Sequence, residues 1–324
     1  MSAPARPRRE RRTVDGILLL DKPEGLSSNQ VLQRVRRLYG AEKAGHTGSL
    51  DPLASGVLPL CFGQATKVAG LLLDADKTYA TRVALGRRTA TGDREGEVVE
   101  TAPVPALDRT TIETALAQFR GRTEQVPPMY SALKKGGQAL YALARQGVTV
   151  ERAPRPILIT RLALTAFGAD WLELEITCSK GTYIRTLGED IARALGTVGH
   201  LATLRRTGFG GALNRYPSHA LVTLEARAGD PEALNALLLP VDAALEDLPA
   251  MTLDAARAAR FRHGQEVAGS APAGLHVRVY ATPNVFLGLG EAARDGSSVR
   301  PLRLMSPAAE VAAATSGCSD GNRD

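Results

Sequence analysis

The chain has 324 residues, 44% of them apolar, with a mean hydropathy of −0.10, enough for one large domain and a small one, each with a packed core. Forty Lys and Arg against 34 Asp and Glu give a net charge of +6 and a pI near 9.4, a modest excess that suits a polyanionic partner, while aromatics at 4% argue against a stacking platform for long single strands. No apolar run approaches the roughly 20 residues of a membrane span, and no apolar segment follows the N-terminus as in a secretory signal, so a cytoplasmic protein without membrane contact is expected.

In chain order, residues 1–13 carry Pro4, Pro7 and five arginines (Arg6, Arg8, Arg9, Arg11, Arg12) and read as a disordered basic arm. Ile17–Leu20 is a short apolar strand. Ser27-Ser28-Asn29 offers an N-cap for a helix over Gln30–Tyr39, where Val31, Val35 and Leu38 share a face. A loop then holds a single carboxylate, Asp51, between Gly45, Gly48 and Gly56, with Pro52 restricting Asp51 to extended or turn geometry. A carboxylate fixed in a stiff loop is a candidate nucleophile or base, although Asp-Pro is also a common way to start a turn. Lys77–Leu85 alternates as a strand, 86–93 is a polar, basic loop, and Thr110–Phe119 is an amphipathic helix.

Residues 122–156 hold Pro127, Pro128, Lys134, Lys135, Arg145 and Arg152, with a helix near Leu140–Arg145, and read as a basic surface insertion. Ile157–Phe167 and Trp171–Cys178 form a strand pair turning at Gly168-Ala169-Asp170, and Thr186–Leu195 is a helix closed by Gly196. Runs of strands with separate helices predict an α+β fold. Pro240 to Pro249 is a linker, strands follow near 277–280, 285–290 and 299–304, and the Ala-, Ser- and Gly-rich chain from Ser306 reads as a disordered tail. The predicted boundaries are 14–247 for the large domain and 250–305 for the small β-rich one. Cys61, Cys178 and Cys318 are distant from one another and, with five His, make no zinc site, so no metal is expected; Cys61 and Cys178 read as buried reduced thiols.

Several segments together resemble the TruB-type tRNA pseudouridine-55 synthases of the bacterial stand-alone kind. Residues 45–58, GHTGSLDPLASGVL, resemble the catalytic motif; Gly16–Pro23 the Lys-Pro motif; Asp76–Tyr79 the tyrosine motif; Pro127–Lys134 the RNA-contacting insertion; Cys178–Thr186 the arginine motif; and Leu204-Arg205-Arg206 closes the set. Long motifs in one order are more specific than any single short pattern. The resemblance implies a mixed or antiparallel sheet in the catalytic domain and a PUA-like C-terminal domain. It also implies isomerisation of the T-loop uridine at position 55 of tRNA, by a monomer without cofactor.

On this resemblance Asp51 is the catalytic carboxylate, Arg185 its oriented cation, and Tyr79 an aromatic packed on the flipped base. Leu204 walls the base, and His46 contacts RNA in space the flipped nucleotides leave. Tyr183, Asp93, Lys67, Lys134 and Lys180 are further substrate or RNA contacts, and Lys22 and Pro23 support the catalytic loop. An acidic position common in the family's loop is Ala90 here. The competing readings are an RNA-binding or tRNA-folding protein, the same isomerisation on another RNA, and a nucleoside glycosidase.

Overall fold

A nine-stranded mixed sheet organises the larger of two units seen in the computed structural model, which describes residues 11–131, 133–282 and 284–306; the units divide between Pro240 and Val241. Neighbouring strands run His219–Ala220, Gly16–Lys22, Ser55–Phe62, Gly199–Phe209, Lys77–Leu85, Trp171–Cys178, Arg155–Phe167 and Gly121–Gln125, with Ala44–His46 added to Ser55–Phe62. Ser55–Phe62 pairs in parallel with Gly199–Phe209, and Gly16–Lys22 with His219–Ala220; the other ladders are antiparallel. This is the expected mixed α+β architecture.

The sequence dictates these elements through period and caps. In Lys77–Leu85 alternate residues are buried, which sets one face of a half-covered sheet. Ser27 caps the helix Ser28–Leu38 with a complete capping box to Gln30. The helix Ile184–Ala194 buries Ile184, Leu187 and Ile191 against the sheet and ends beside Gly196, whose φ is +79°. Gly56 is required by crowding: its φ is +103°, and a Cβ there would sit 2.1 Å from the Arg206 carbonyl oxygen.

Some expectations are corrected. Residues 86–93 are no simple loop, because Arg87–Thr89 pairs with Val98–Thr101 as a two-stranded ribbon. Arg12, read as part of a free arm, is pinned: its N–H donates to Gly40 O and its Nε to Tyr39 O at 2.9 Å. The predicted linker contains a turn of 3-10 helix, Val241–Leu245, that belongs to the second unit. Residues 1–10 of the basic arm and the tail beyond Ser306, Cys318 included, lie outside the described residues.

The second unit is built on a five-stranded sheet, ordered Ala250–Leu253, His276–Ala281, Val285–Ala292, Ser298–Leu304 and Val267–Ala268, with the helix Ala255–Arg262 supplying Ala258 and Phe261 to its core. The three C-terminal strands read from the sequence are all present. No helix among the described residues is long and apolar enough to cross a membrane.

Candidate active site

Asp51 follows the strand Ala44–His46 and precedes Ser55–Phe62, in a loop held from three sides. Ser28 Oγ, itself buried, accepts from Leu50 N at 2.7 Å and donates to Leu50 O at 3.0 Å. Lys22, with 0% exposure, donates from Nζ to Pro23 O at 2.8 Å, Leu26 O at 2.6 Å and Pro52 O at 3.5 Å. Burial lowers its pKa to about 8 despite the nearby Asp51 and Glu24 carboxylates. Ala54 N donates to Asp51 O at 3.0 Å, closing the turn that Pro52 begins. Lys22 thus bonds to carbonyls on both sides of the loop, while Pro23 is exposed and contributes its carbonyl.

Arg185 lies in the first turn of the helix Ile184–Ala194, and its side chain is only 6% exposed. Each guanidinium nitrogen is engaged. Nε pairs with Asp51 Oδ2 at 2.9 Å, Nη1 donates to Thr91 O at 2.7 Å, and Nη2 donates to Tyr130 O at 2.7 Å. Two carbonyls therefore fix the fork before it meets the carboxylate, which leaves Asp51 oriented yet 43% exposed. Its burial sets Arg185 apart from an ordinary surface charge at a helix start.

A cavity of about 350 Å³ opens beside this pair, lined by Asp51, Tyr79, Leu204, Tyr183, Lys180, Lys77 and Arg206 among others. Tyr79 and Leu204 are buried wall residues on adjacent strands, two register positions apart, with Tyr79 directly opposite Arg206. Burial raises the Tyr79 hydroxyl pKa, partly opposed by Arg206. Tyr183 precedes the arginine helix, and its backbone is clamped by Gln125, whose Oε1 accepts from Tyr183 N at 2.8 Å and whose Nε2 donates to Tyr183 O at 3.1 Å. Lys180 stands at the exposed rim, paired with Asp74 at 2.7 Å.

On the other side of Asp51 lies a wider groove of about 790 Å³ that includes His46, Asp93, Tyr141 and Arg145. His46 is half-buried, its Nδ1 has no hydrogen-bond partner, and burial followed by the Arg206 charge lowers its pKa. Asp93 departs from the expected RNA-facing position. It is 4% exposed, accepts from Thr91 Oγ1 at 2.6 Å and Glu95 N at 3.1 Å, and its Oδ2 lies 3.8 Å from Arg185 Nε. It lies beside the Arg185 Nε that Asp51 also meets, because a buried cation needs nearby negative charge. Lys134 is exposed on a short hairpin of the insertion, outside both cavities, and Lys67 is half-buried at the end of a 3-10 turn, also outside them.

Ser28, Thr91, Gln125, Lys77 and Arg206 carry no assigned role in the sequence reading, although Lys77 and Arg206 stand within motifs it singles out. The signal for Arg206 was its position two residues after Leu204 in a strand, where alternation puts both on one face. Among the described residues no His, Cys, Asp and Glu cluster could hold a metal ion, and Cys61 and Cys178 are buried free thiols.

The architecture is that of a pseudouridine synthase. It is similar to the protein in the crystal structure of a Cbf5-Nop10-Gar1 complex, with a TM-score of 0.68 and 25% identity over 90% of this chain and 85% of that one. An H/ACA RNP bound to a substrate RNA containing 2′-deoxyuridine shares the fold, at TM-score 0.67 and 23% identity over 90% and 85% of the two chains. Residues 36–184 match the TruB family pseudouridylate synthase N-terminal domain, 185–246 the tRNA pseudouridylate synthase B C-terminal domain, and 249–305 the pseudouridine synthase II TruB C-terminal domain. The chain is 53% identical to tRNA pseudouridine synthase B of Stutzerimonas stutzeri, over 93% of this chain and 99% of that protein. It is 52% identical to the Burkholderia lata protein of the same name, over 95% of each. The chain belongs to the TruB family of pseudouridine synthases.

Proposed function

We propose that this enzyme isomerises the uridine at position 55 in the T-loop of tRNA to pseudouridine, acting as a monomer in the cytoplasm with Asp51 as its essential carboxylate. The observation that carries the reading is the Asp51–Arg185 pair, 2.9 Å apart, at the mouth of a cavity walled by Tyr79 and Leu204. The cavity accepts one flipped base, and Asp51 at its mouth meets the ribose.

The reaction breaks the N1–C1′ bond, turns the base and joins C5 to C1′. Substrate and product are isomers, so no redox equivalent is consumed. Departure of the base leaves C1′ electron-poor. An ionised carboxylate beside it serves by adding to C1′ or by taking the neighbouring C2′ proton; both routes use the same residue. Arg185 keeps Asp51 oriented, and the Asp93 carboxylate adds negative charge beside the same Arg185 Nε. Tyr79 packs on the base and Leu204 walls it. His46, whose pKa is lowered by burial and then by the Arg206 charge, lines the groove that receives the flanking nucleotides. Tyr141, half-exposed with Arg145 stacked over its ring at 5.7 Å, offers a stacking surface in the same groove. Lys134, Lys180 and Lys67 serve as phosphate contacts, and the C-terminal unit as a PUA-like RNA-binding domain.

Tritium release from tRNA carrying 5-³H-uridine tests the reading, because C5 loses its hydrogen in this isomerisation. Release is expected from the parent protein, not from Asp51→Asn, and not when the T-loop target is changed to cytidine. A protein that binds tRNA yet releases no tritium is an RNA-binding protein and not this enzyme.

A further inference from the structure

The wall behind Tyr79 carries more positive charge than its contacts neutralise. Arg206 is 1% exposed. Its Nε donates to Val57 O at 2.6 Å, its Nη2 to Gly48 O at 3.1 Å, and the guanidinium reaches the Tyr79 hydroxyl. Lys77, also buried, begins the strand that carries Tyr79 and donates from Nζ to Leu73 O at 2.8 Å and to Ala75 O. Both cations lie against the Phe209 ring, with Lys77 Nζ 4.9 Å and the Arg206 guanidinium 5.4 Å from the ring centroid. Among the described residues neither forms an ion pair with a carboxylate.

Gly48 of the catalytic loop lies directly over the pair. A Cβ at Gly48 would stand 3.4 Å from Arg206 Nη1 and 3.7 Å from Lys77 Cε, so only hydrogen covers the cations there. Both residues line the same cavity as Asp51. Two buried like charges without an anion between them cost stability, and carbonyl and ring contacts offset only part of that. The cost shows in Lys77, whose pKa falls to about 8 through burial and the Arg206 charge, with Cys178, Asp74 and Asp76 opposing. A fold that retains such a pair at a cavity wall is arranged for negative charge that comes and goes in the cavity.

We propose that Lys77 and Arg206 form the electrostatic seat of the departing base, stabilising the uracil anion while it turns. This rests on the isomerase reading above. When N1–C1′ breaks, the bonding pair leaves with the base and its charge spreads over N1 and the two carbonyl oxygens. When C5 joins C1′ a pair returns to the sugar, C5 then gives up its proton, and N1 takes one. The negative charge on the base is thus transient, and preorganised cations stabilise the barrier without holding the neutral substrate or product. Asp51 and Arg185 attend the sugar; Lys77 and Arg206 attend the base, acting past Tyr79 and Gly48.

The test is single-turnover conversion of a T-arm stem-loop whose target is uridine or 5-fluorouridine, read by nucleoside digestion as loss of the N-linked nucleoside, because C5 of the fluorinated base has no proton to give up and its C-linked product keeps the fluorine. Lys77→Gln keeps a donor for the Leu73 and Ala75 carbonyls and removes the charge; Lys77→Arg keeps the charge. Lys77→Gln is expected to lose on the order of 100-fold in rate on uridine, with RNA affinity within about twofold of the parent. Its loss on 5-fluorouridine should be about tenfold or less, because fluorine already stabilises the departing anion and less is left for the cation to supply. Lys77→Arg should retain most of the rate. Equal losses on the two bases mark a merely structural lysine and overturn the proposal, as does a folded Lys77→Gln with parental rate or a Lys77→Arg as slow as Lys77→Gln. A parent protein inactive on uridine refutes the isomerase reading itself, which is a separate outcome.

Discussion

Ser28 gives the sharpest test of how the catalytic loop is held. Its hydroxyl sits in the first turn of the helix Ser28–Leu38, yet it bonds across to both backbone groups of Leu50, accepting at 2.7 Å and donating at 3.0 Å. Ser28 and Leu50 are both buried, so in Ser28→Ala the Leu50 N–H and C=O lose their partner where water does not readily replace it. Each orphaned buried group costs about 1–3 kcal/mol. Taking about 1.5 kcal/mol each, because loop relaxation recovers part, gives a loss of about 3 kcal/mol. For a unit of this size that is a fall of roughly 6–12 °C in melting temperature. Asp51 is the next residue, so a loop that relaxes to satisfy Leu50 also moves the carboxylate. A displacement of about 1 Å costs on the order of 100-fold in rate, whereas RNA affinity, made over a wide surface, changes little. Thermal melting and single-turnover tritium release read the two effects separately. A Ser28→Ala protein that melts with the parent and reacts at its rate refutes the claim that this hydroxyl sets the loop.

Arg185→Lys keeps a charge but reaches at most one of the three acceptors the guanidinium engages, so single-turnover rate should drop on the order of 100-fold with tRNA affinity preserved; a rate within about threefold of the parent would show that the fork geometry is dispensable. Lys22 titrates at about 8 in the fold against 10.5 in the unfolded chain. Between those values the unfolded state holds the proton that the folded state has released, so its contribution to stability rises with pH across that window. The unfolding free energy of the parent minus that of Lys22→Met should therefore grow by on the order of 2 kcal/mol from pH 7.5 to 9.5 in urea titrations, and a flat difference would show that Lys22 keeps its proton throughout. In the second unit, Tyr280 Oη donates to Asp242 Oδ2 at 2.6 Å, and burial with this contact raises its pKa to about 12. Tyr280→Phe should cost about 1.5–3 kcal/mol in urea unfolding and leave catalysis on an isolated T-arm stem-loop unchanged; loss of that activity would tie the second unit to the chemistry.

What the sequence discloses follows the range over which each signal acts. Local patterns identify the strand Lys77–Leu85, the helix Leu140–Arg145 and the hairpin at Gly168-Ala169-Asp170, because alternation, helical period and turn residues act within a few positions. The parallel pairing of Ser55–Phe62 with Gly199–Phe209 joins segments more than 140 residues apart, and no local period reports it. Asp51, Tyr79, Arg185 and Leu204 are legible through the motifs that carry them. The residues that fix those four are less so. Ser28 reads as a capping residue, and Gln125 as one polar side chain in a basic insertion. Asp93 reads as a loop acid because its burial depends on Arg185, 92 positions later in the chain.

The same contrast explains how a single exposed carboxylate suffices. On the proposed function Asp51 meets a ribose and stays open to it, so its own surroundings do not hold it by burial. Rigidity is supplied one step away: Ser28 fixes Leu50 on one side, Lys22 ties Pro52 on the other, and Arg185 arrives already oriented by two carbonyls. Ser28, Lys22 and Arg185 are buried, while Asp51 is not. Preorganisation of this kind removes the reorganisation that solvent would otherwise impose during reaction. It also predicts where substitutions act: changes at Ser28, Lys22 or Arg185 should lower rate more than affinity, and changes at the exposed Lys134 or Lys180 should do the reverse. A panel of these five variants, scored for single-turnover rate and tRNA affinity, separates the two groups. If Lys134 and Lys180 variants lose rate at unchanged affinity, the division between a rigid reacting frame and a solvated binding rim is wrong.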